Sequence, residues 1–526
     1  MSIRLFAALV ALAPLTTAAQ AQHYDLLIRN GRVLDGTGNP WFFADIGVTG
    51  DKIMAVGPLD NATATKVIDA KGLYVSPGFI DVHSHAAPGL ATPALAHGQP
   101  LLAQGITTIV ANPDGGGPVD LPKQRADLEK HPLGVNVALM IGHGSVRGAV
   151  LGMSDHDPTP AQLDQMRTIV KQGMDAGAFG MSDGPYYAPA SYSKTEEIIA
   201  LAKVAAPYAG VYTSHIRDES DYTVGLVAAV DEVIRISREA HLTGIVTHIK
   251  ALGPHVWGLS THIVERINQA RDQGIPVYAD QYPYDASGTS IGGALVPRWA
   301  LVGGDTALKR RITDPTEGPK LRHDLTENLD RRGGADRLQF SDYDADHSIE
   351  GKTLGEVARE RHVDPVDLAL SVLSHGDAGV TSFNMSEADI ATFMRQPWTM
   401  TCTDGSLVPM GEGVPHPRFY GAFSRKIRKY VVEEHVIDLP AAIRSMTSLP
   451  ASVFHIDDRG AIRTGMTADL LVFDLAHVRD VATYQKPHQL SEGMVAIVVN
   501  GGVEMADGAF TSGHFGHVLA RRTTAR

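Results

Sequence analysis

The sequence predicts an α/β fold: a (β/α)8 TIM-like barrel carrying a small composite β-sandwich domain built from both termini. Three observations lead there. Between about residues 76 and 450, eight short apolar stretches alternate with amphipathic helices. Both ends of the chain, about 22–75 and 451–526, instead string strand-like runs between tight-turn signals. The competing architecture, an open doubly wound sheet, needs a Gly-rich phosphate loop after its first strand. GNPW and PDGGG fit neither dinucleotide nor P-loop spacing.

In chain order, the first element is not part of the fold. Arg4, the apolar run LFAALVALAPL and the small residues Ala19 and Ala21 read as a secretory signal at residues 1–21, cut after Ala21. The run is too short to span a bilayer. A secreted or periplasmic product with no membrane contact after signal removal is therefore expected. YDLLIRNGRVLDGTG and ADIGVTGDKIMAVG follow, broken by Asn-Gly, Gly-Thr-Gly and Gly-Asp, as in tight hairpins.

The barrel strands are expected at PGFIDVHSHAA, GITTIVANPDG, GVNVALMIGHGS, GAFGMSDGPYY, GVYTSHIRDE, GIVTHIKALG, IPVYADQYPYD and WTMTCTDGS. Several are almost continuously apolar, as parallel strands covered on both faces should be. In TPAQLDQMRTIVKQGMDAG, Thr159 is the N-cap, Pro160 opens the helix, Gln162 completes a capping box and Gly177 ends it. Leu163, Met166, Val170 and Met174 form its apolar face. SKTEEIIALAKV starts in the same way with Ser193 and Glu196. Residues from about 297 to 352 are charged and poorly periodic, and read as an insertion or lid over the barrel mouth. GAIRTGMTADLLVFD and MVAIVVNGGVEMADGAF then return to the hairpin idiom and complete the β domain.

Composition narrows the chemistry. A net charge of -13 without a basic stripe excludes the usual nucleic-acid binder. The single cysteine, Cys402, rules out an internal disulfide framework and Cys-rich zinc knuckles, whereas 23 histidines are present. Any metal must be held by imidazole and carboxylate. Cys402 has no base beside it in its segment and reads as a packed strand residue.

Polar residues collect at the C-terminal strand ends, the active face of a barrel. Strand one ends in Asp81-Val82-His83-Ser84-His85, and residues two apart on a strand point to the same side. Strand five ends with His215, strand six with His248, and Asp404 lies just past strand eight. Each alone reads as a hydrogen-bonded structural residue. Four histidines and an aspartate at matched ends read as a metal site. A bound metal lowers the pKa of its water to about 7 and polarises a carbonyl. An aspartate beside that water serves as general base and then protonates the leaving group. His143, at the end of strand three, is a candidate substrate contact.

The motifs PGFIDVHSH and GAIRTGMTADLLVFD and the split β domain resemble the amidohydrolase superfamily. GITTIVAN, IGHGSVRGAVLGM, YTSHIRDES, THIKALG, DQYPYDASG, TDG and HPRFYGAFSR are similar to its N-acyl-D-amino-acid deacylase (D-aminoacylase) branch. The resemblance runs in order along nearly the whole mature chain. It implies that His83, His85, His215 and His248 are metal ligands and that Asp404 is the catalytic aspartate. It also implies that Lys250, Tyr282 and Arg418 contact substrate.

Two positions depart from that pattern. Asp114 stands where the branch usually has a metal-contacting cysteine, and the serine after the YPY motif lines up with Gly288, with Ser287 one place earlier. A soft thiolate favours zinc, whereas a carboxylate is more permissive toward manganese or cobalt and can bridge two ions. Asp114 is either such a ligand or a cap of the PDGGG turn. No lysine ends strand four in AFGMSDG, where hydantoinase-like relatives carry a carboxylated one.

The resemblance thus implies hydrolysis of the amide bond of N-acyl-D-amino acids with one or two divalent ions, zinc foremost. The expected partner is a small-molecule substrate, and a homo-oligomer stays open. Competing readings are another hydrolase of the superfamily (a dipeptidase, or a lactone or ester hydrolase) and a non-catalytic binding protein on a degenerate enzyme fold.

Overall fold

The computed structural model describes residues 22–521. The expected signal segment lies outside the described residues. Among them, no helix is long and apolar enough to cross a membrane.

All eight expected barrel strands form, at Phe79–Ser84, Ile106–Ala111, Asn136–Leu139 with Ile141–Gly142, Gly180–Asp183, Val211–Ser214, Gly244–Val246, Val277–Gln281 and Thr399–Thr401. Neighbours pair in parallel from strand one to three and from the end of strand three to strand eight. The ring is closed by a parallel bridge between Ser84 and Gly405, where strand eight meets strand one. Every residue of the first two strands is buried, because helices cover the outside and side chains fill the inside.

The surrounding helices follow from local chemistry. Pro160–Asp175 carries the full Thr159–Gln162 capping box, and buries Met166, Val170 and Met174. The next helix, Thr195–Ala205, differs from the sequence reading. Its N-cap is Lys194, and the Ser193 hydroxyl donates back to the Ala190 carbonyl at 2.7 Å. The preceding 3-10 turn Ala190–Tyr192 offers that acceptor first.

The terminal segments meet in one nine-stranded sheet. Leu470–Phe473, from the C-terminal part, pairs antiparallel with Tyr74–Pro77 from the N-terminal part. Leu26, Ile28, Ile46 and Val48 share a core with Leu470, Val472 and Val498 from the other end of the chain. Neither half buries its apolar face alone, so the two depend on each other.

The unit between strands seven and eight extends well beyond residues 297–352. Ser287–Ser290, Leu338–Asp342 and Gly379–Ser382 make an antiparallel three-stranded sheet. Five helices pack around it, at Ile291–Leu295, Gly304–Thr313, Glu317–Arg331, Leu354–Arg361 and Pro365–His375. It has its own core, including Leu321, Leu325, Phe340, Leu354 and Val380. The helix Glu317–Arg331 hides its period because a narrow stripe of Leu321, Leu325 and Leu329 is outnumbered by charged residues on the solvent face.

Candidate metal centre and active-site cavity

The site residues sit where strands give way to the loops above them. His83 belongs to the end of strand one, and His85, His215, His248, Asp114 and Asp404 follow their strands by one to three residues. His248, Asp114 and Asp404 adopt φ of +35°, +56° and +48°. Such backbones cost about 1–3 kcal/mol each and persist only where their surroundings over-determine them. Here the restraints are visible. Asp280 Oδ1 accepts the His248 N–H at 2.8 Å. Asp81 accepts the Thr403 N–H at 2.9 Å and its hydroxyl at 2.5 Å. The Asp404 N–H donates to the His83 carbonyl at 2.9 Å. Burial pushes Asp81 up to about 7 and raises Asp280.

Asp114 stands at the centre. Its Oδ1 lies 3.3 Å from His83 Nε2, 3.7 Å from His215 Nδ1 and 3.5 Å from His248 Nε2, and its Oδ2 lies 3.3 Å from His85 Nε2. Asp404 Oδ1 is 3.4 Å from His83 Nε2 and 3.3 Å from His85 Nε2. These donors form two groups, His83–His85–Asp114–Asp404 and Asp114–His215–His248, with ligand atoms within 4.8 Å of one another in each. Both ring nitrogens of His83 and of His215, and Asp114 Oδ1, are buried without a hydrogen-bond partner. Imidazole nitrogens and carboxylate oxygens that face one another unpaired in a buried space suit a cation between them. The donor set therefore fits divalent metal, and Asp114 belongs to both groups.

Charges respond accordingly. Burial disfavours the Asp114 carboxylate, yet the imidazoles of His83, His215 and His248 hold it well below the ordinary range. Asp404 is likewise buried, and Arg418 and His248 hold it well below the carboxylate range. Burial opposes the His83 cation, but Asp114 and Asp404 prevail and raise it.

The cluster opens into a cavity of about 690 Å³ whose wall includes His85, Asp114, His215, Lys250, Tyr282 and Arg418. Residues 66–503 match the model of a family described as the amidohydrolase family. The chain is 32% identical to D-aminoacylase of Alcaligenes xylosoxydans xylosoxydans, over 96% of this chain and 99% of the relative.

The chain belongs to the amidohydrolase family.

Within it, the chain falls in the N-acyl-D-amino-acid deacylase branch. It is also 32% identical to an N-acyl-D-glutamate deacylase of the same organism, over 91% of this chain and 93% of that protein. A crystal structure of N-acyl-D-glutamate deacylase from Bordetella bronchiseptica, complexed with zinc and a phosphonate mimic of the tetrahedral intermediate, superposes with a TM-score of 0.81. It is 31% identical, covering 95% of this chain and all (100%) of that one. A D-aminoacylase structure described for its binuclear metal centre gives 0.80 at 30% identity, with 95% and 100% coverage. D-hydantoinase, at 14% identity and 0.56, shares the fold alone.

In this amidohydrolase, Asp114 combines a turn position with a place in the candidate metal cluster. The Gly116 N–H donates to the Pro113 carbonyl at 2.9 Å, so Asp114 lies inside a turn. That turn, with its positive φ, aims the carboxylate into the histidine cluster.

Arg418 opens the helix Arg418–Arg425. Its Nη1 stands 2.9 Å from Asp404 Oδ2. Tyr282 lies between two cations, 4.6 Å from the Arg418 guanidinium and 5.6 Å from Lys250 Nζ at its ring centre. Gly288 gives Arg418 room, since a Cβ there would stand 3.0 Å from Nη2. Ser287, one place earlier, turns its hydroxyl to Asn384 at 3.2 Å.

His143 is a correction. It is fully buried, with Nδ1 2.6 Å from Asp183 and Nε2 3.0 Å from Glu197, and it does not line the cavity. Both nitrogens are committed to carboxylates, which leaves none for substrate.

Sequence reasoning missed Glu219, four residues past His215 in YTSHIRDES. Its carboxylate lies 2.5 Å from Lys250 Nζ, 3.0 Å from His248 Nδ1 and 3.6 Å from His215 Nε2. It thereby orients His248, a candidate ligand, from behind. The His–x3–Glu spacing is a signal that a metal-centred reading can use. Cys402 is fully buried, and burial pushes its thiol up, so it stays protonated and inert.

Proposed function

We propose that this amidohydrolase cleaves the amide bond of N-acyl-D-amino acids, releasing a carboxylate and a free D-amino acid. One observation carries the reading: buried, unpartnered imidazoles converge with the Asp114 and Asp404 carboxylates beside Arg418 and Lys250. The D-configuration is supported by the relatives that act on N-acyl-D-amino acids.

His83, His85 and Asp114 would hold one divalent ion and Asp114, His215 and His248 a second. Zinc is the proposed ion, with manganese and cobalt accommodated by the oxygen donors of Asp114. When bound, it supplies a Lewis acid for the acyl carbonyl and a water of lowered pKa.

The chain's own residues do the rest. Arg418 and Lys250 take the α-carboxylate, with the face of Tyr282 between them. Asp404, kept ionised by Arg418, accepts a proton from the attacking water as its oxygen bonds to the acyl carbon. It returns that proton to nitrogen as the C–N bond breaks. Glu219 keeps His248 and Lys250 in place.

The test is a panel of acylated D- and L-amino acids, dipeptides and lactones, assayed with metal-depleted protein and after adding back zinc, manganese or cobalt. Metal-dependent turnover of the acylated D-amino acids is expected. Faster hydrolysis of dipeptides or lactones, or undiminished activity without metal, overturns the reading.

Export to the periplasm or exterior, with cleavage after Ala21, is proposed on the apolar run and on Ala19 and Ala21. A mature N-terminus at Gln22 supports it; an N-terminus still carrying residues 1–21 on the cytosolic protein refutes it.

A further inference from the structure

Arg332 caps the helix Glu317–Arg331 of the inserted unit and reaches the wall of the active-site cavity. It is 1% exposed. Its Nε donates to the Ala294 carbonyl at 3.2 Å and its Nη2 to the Tyr186 hydroxyl at 3.0 Å. Its Nη1 donates at 3.2 Å to the side-chain oxygen of Asn384, in the amide orientation that also suits Ser287 and Ser382. These partners are all neutral, and a guanidinium carries five N–H groups, so two are unspent.

Among the described residues, no carboxylate forms an ion pair with Arg332, and its ionisable neighbours are Tyr222, Tyr186 and Tyr187. The other buried cations that line the same cavity are matched: Arg418 with Asp404 and Lys250 with Glu219. Arg331, the preceding residue, pairs with Asp221 and Glu327. A buried charge without a counter-charge is costly, and chains retain one where a ligand supplies the missing sign.

Position ties that charge to the reaction. Tyr186 touches Arg332 through its hydroxyl, and its ring centre lies 4.8 Å from that of His215. One tyrosine therefore separates Arg332 from the candidate metal ligand His215. Arg418 and Lys250, which the proposed function assigns to the α-carboxylate, line the same cavity.

We propose that Arg332 binds a second carboxylate of the substrate, carried either by the side chain of the D-amino acid or by the acyl group. Substrates of this enzyme are then N-acyl compounds with two carboxylates. The inference rests on the deacylase reading and adds a specificity-determining residue to it. The unspent N–H groups supply charge-assisted hydrogen bonds from a side chain that is almost fully buried.

The test compares wild type, Arg332→Met and Arg332→Lys on N-acetyl-D-glutamate, N-acetyl-D-aspartate, N-succinyl-D-leucine and N-acetyl-D-leucine, with zinc restored. Wild type is expected to favour a dicarboxylate over N-acetyl-D-leucine by about 100-fold in kcat/KM or more. The first two compounds place the second carboxylate on the side chain, and the third places it on the acyl group. Arg332→Met should erase that preference while changing N-acetyl-D-leucine only a few-fold, and Arg332→Lys should recover part of it.

Equal losses on all four compounds, or a wild type that prefers N-acetyl-D-leucine, overturn the role of Arg332 and leave the deacylase reading standing. No turnover of any of the four overturns the deacylase reading instead. If Arg332→Met fails to fold, the decision passes to Arg332→Lys and to thermal unfolding. Glutarate should raise the wild-type Tm more than butyrate does, and equal shifts overturn the inference.

Discussion

His143 and His83 stand over strands of one barrel, both fully buried and both flanked by two carboxylates. The His143 ring spends one nitrogen on Asp183 and the other on Glu197, Arg147 neutralises Glu197, and the Tyr212 hydroxyl donates to Asp183 at 2.9 Å. The His83 ring has no hydrogen-bond partner on either nitrogen, and it faces Asp114 and Asp404 across 3.3–3.4 Å. Residue type and burial are the same in both places. What differs is whether the polar atoms are satisfied. An unsatisfied buried polar group costs about 1–3 kcal/mol, so a cluster of them is a liability unless a ligand completes it. The closed cluster stabilises the fold; the open one is built to receive something.

The largest effects should separate the two clusters outright. His215→Ala and His248→Ala should lose bound metal by elemental analysis and fall to background turnover, because each removes one of few direct bonds. Asp114→Ala should weaken at least one ion in metal titrations. Melting of the metal-free proteins sharpens the contrast: removing the orphaned His215 imidazole should leave the Tm unchanged or higher. Full metal content and activity in His248→Ala would take strand six out of the site.

Next in size, Asp404→Asn keeps the shape but cannot take the proton of water, and its kcat should fall about 10²–10⁴-fold with fold and metal retained. A metal-loaded Asn variant with near-normal kcat would remove Asp404 from the mechanism.

Arg418→Lys should lower kcat/KM for acylated amino acids about 10–100-fold, the worth of a charge-assisted fork. The matching amides, which lack the carboxylate, should be far less affected. Equal losses on both would make Arg418 a support for Asp404 alone.

The smallest effect on turnover belongs to the closed cluster. His143→Ala should leave kcat within a few-fold while costing about 3–5 kcal/mol of stability, as breaking one side of a buried pair does. Burial opposes the His143 cation, but Asp183 and Glu197 prevail and hold its pKa up at about 9. A raised folded-state value means that its contribution is complete below the unfolded value near 6.5 and is lost as pH rises through about 9. Wild-type Tm should decline over that window, and the decline should be missing in His143→Gln. A large kcat loss in either variant would reopen the case for substrate contact.

Much of this was legible in the sequence. Apolar runs located all eight barrel strands, and alternation placed His83 and His85 on one side of theirs. The Thr159–Gln162 box held because both partners are local. Ser193 followed the same rule and failed, because an acceptor in the preceding turn captured its hydroxyl. The inserted unit was undersized because its helices carry thin apolar stripes, which charged faces outnumber. Glu219 and Arg332 were missed for different reasons. Glu219 lay inside a recognised motif at helical spacing from His215. Arg332 sits in a charged helix that looks like solvent-facing surface until the unit folds against the barrel.

By itself, the sequence determined the order of elements, the periodicity that buries one side of each, and the set of residues delivered to the C-terminal strand ends. Those are consequences of neighbours a few positions apart. Only the tertiary structure decided which of those residues are satisfied. His143 meets its carboxylates 40 and 54 residues away, His248 meets Glu219 from the preceding strand's loop, and Arg332 meets Tyr186 across 146 residues. Hydrogen-bond satisfaction depends on atoms brought within about 3 Å by folding, and no local spacing encodes it.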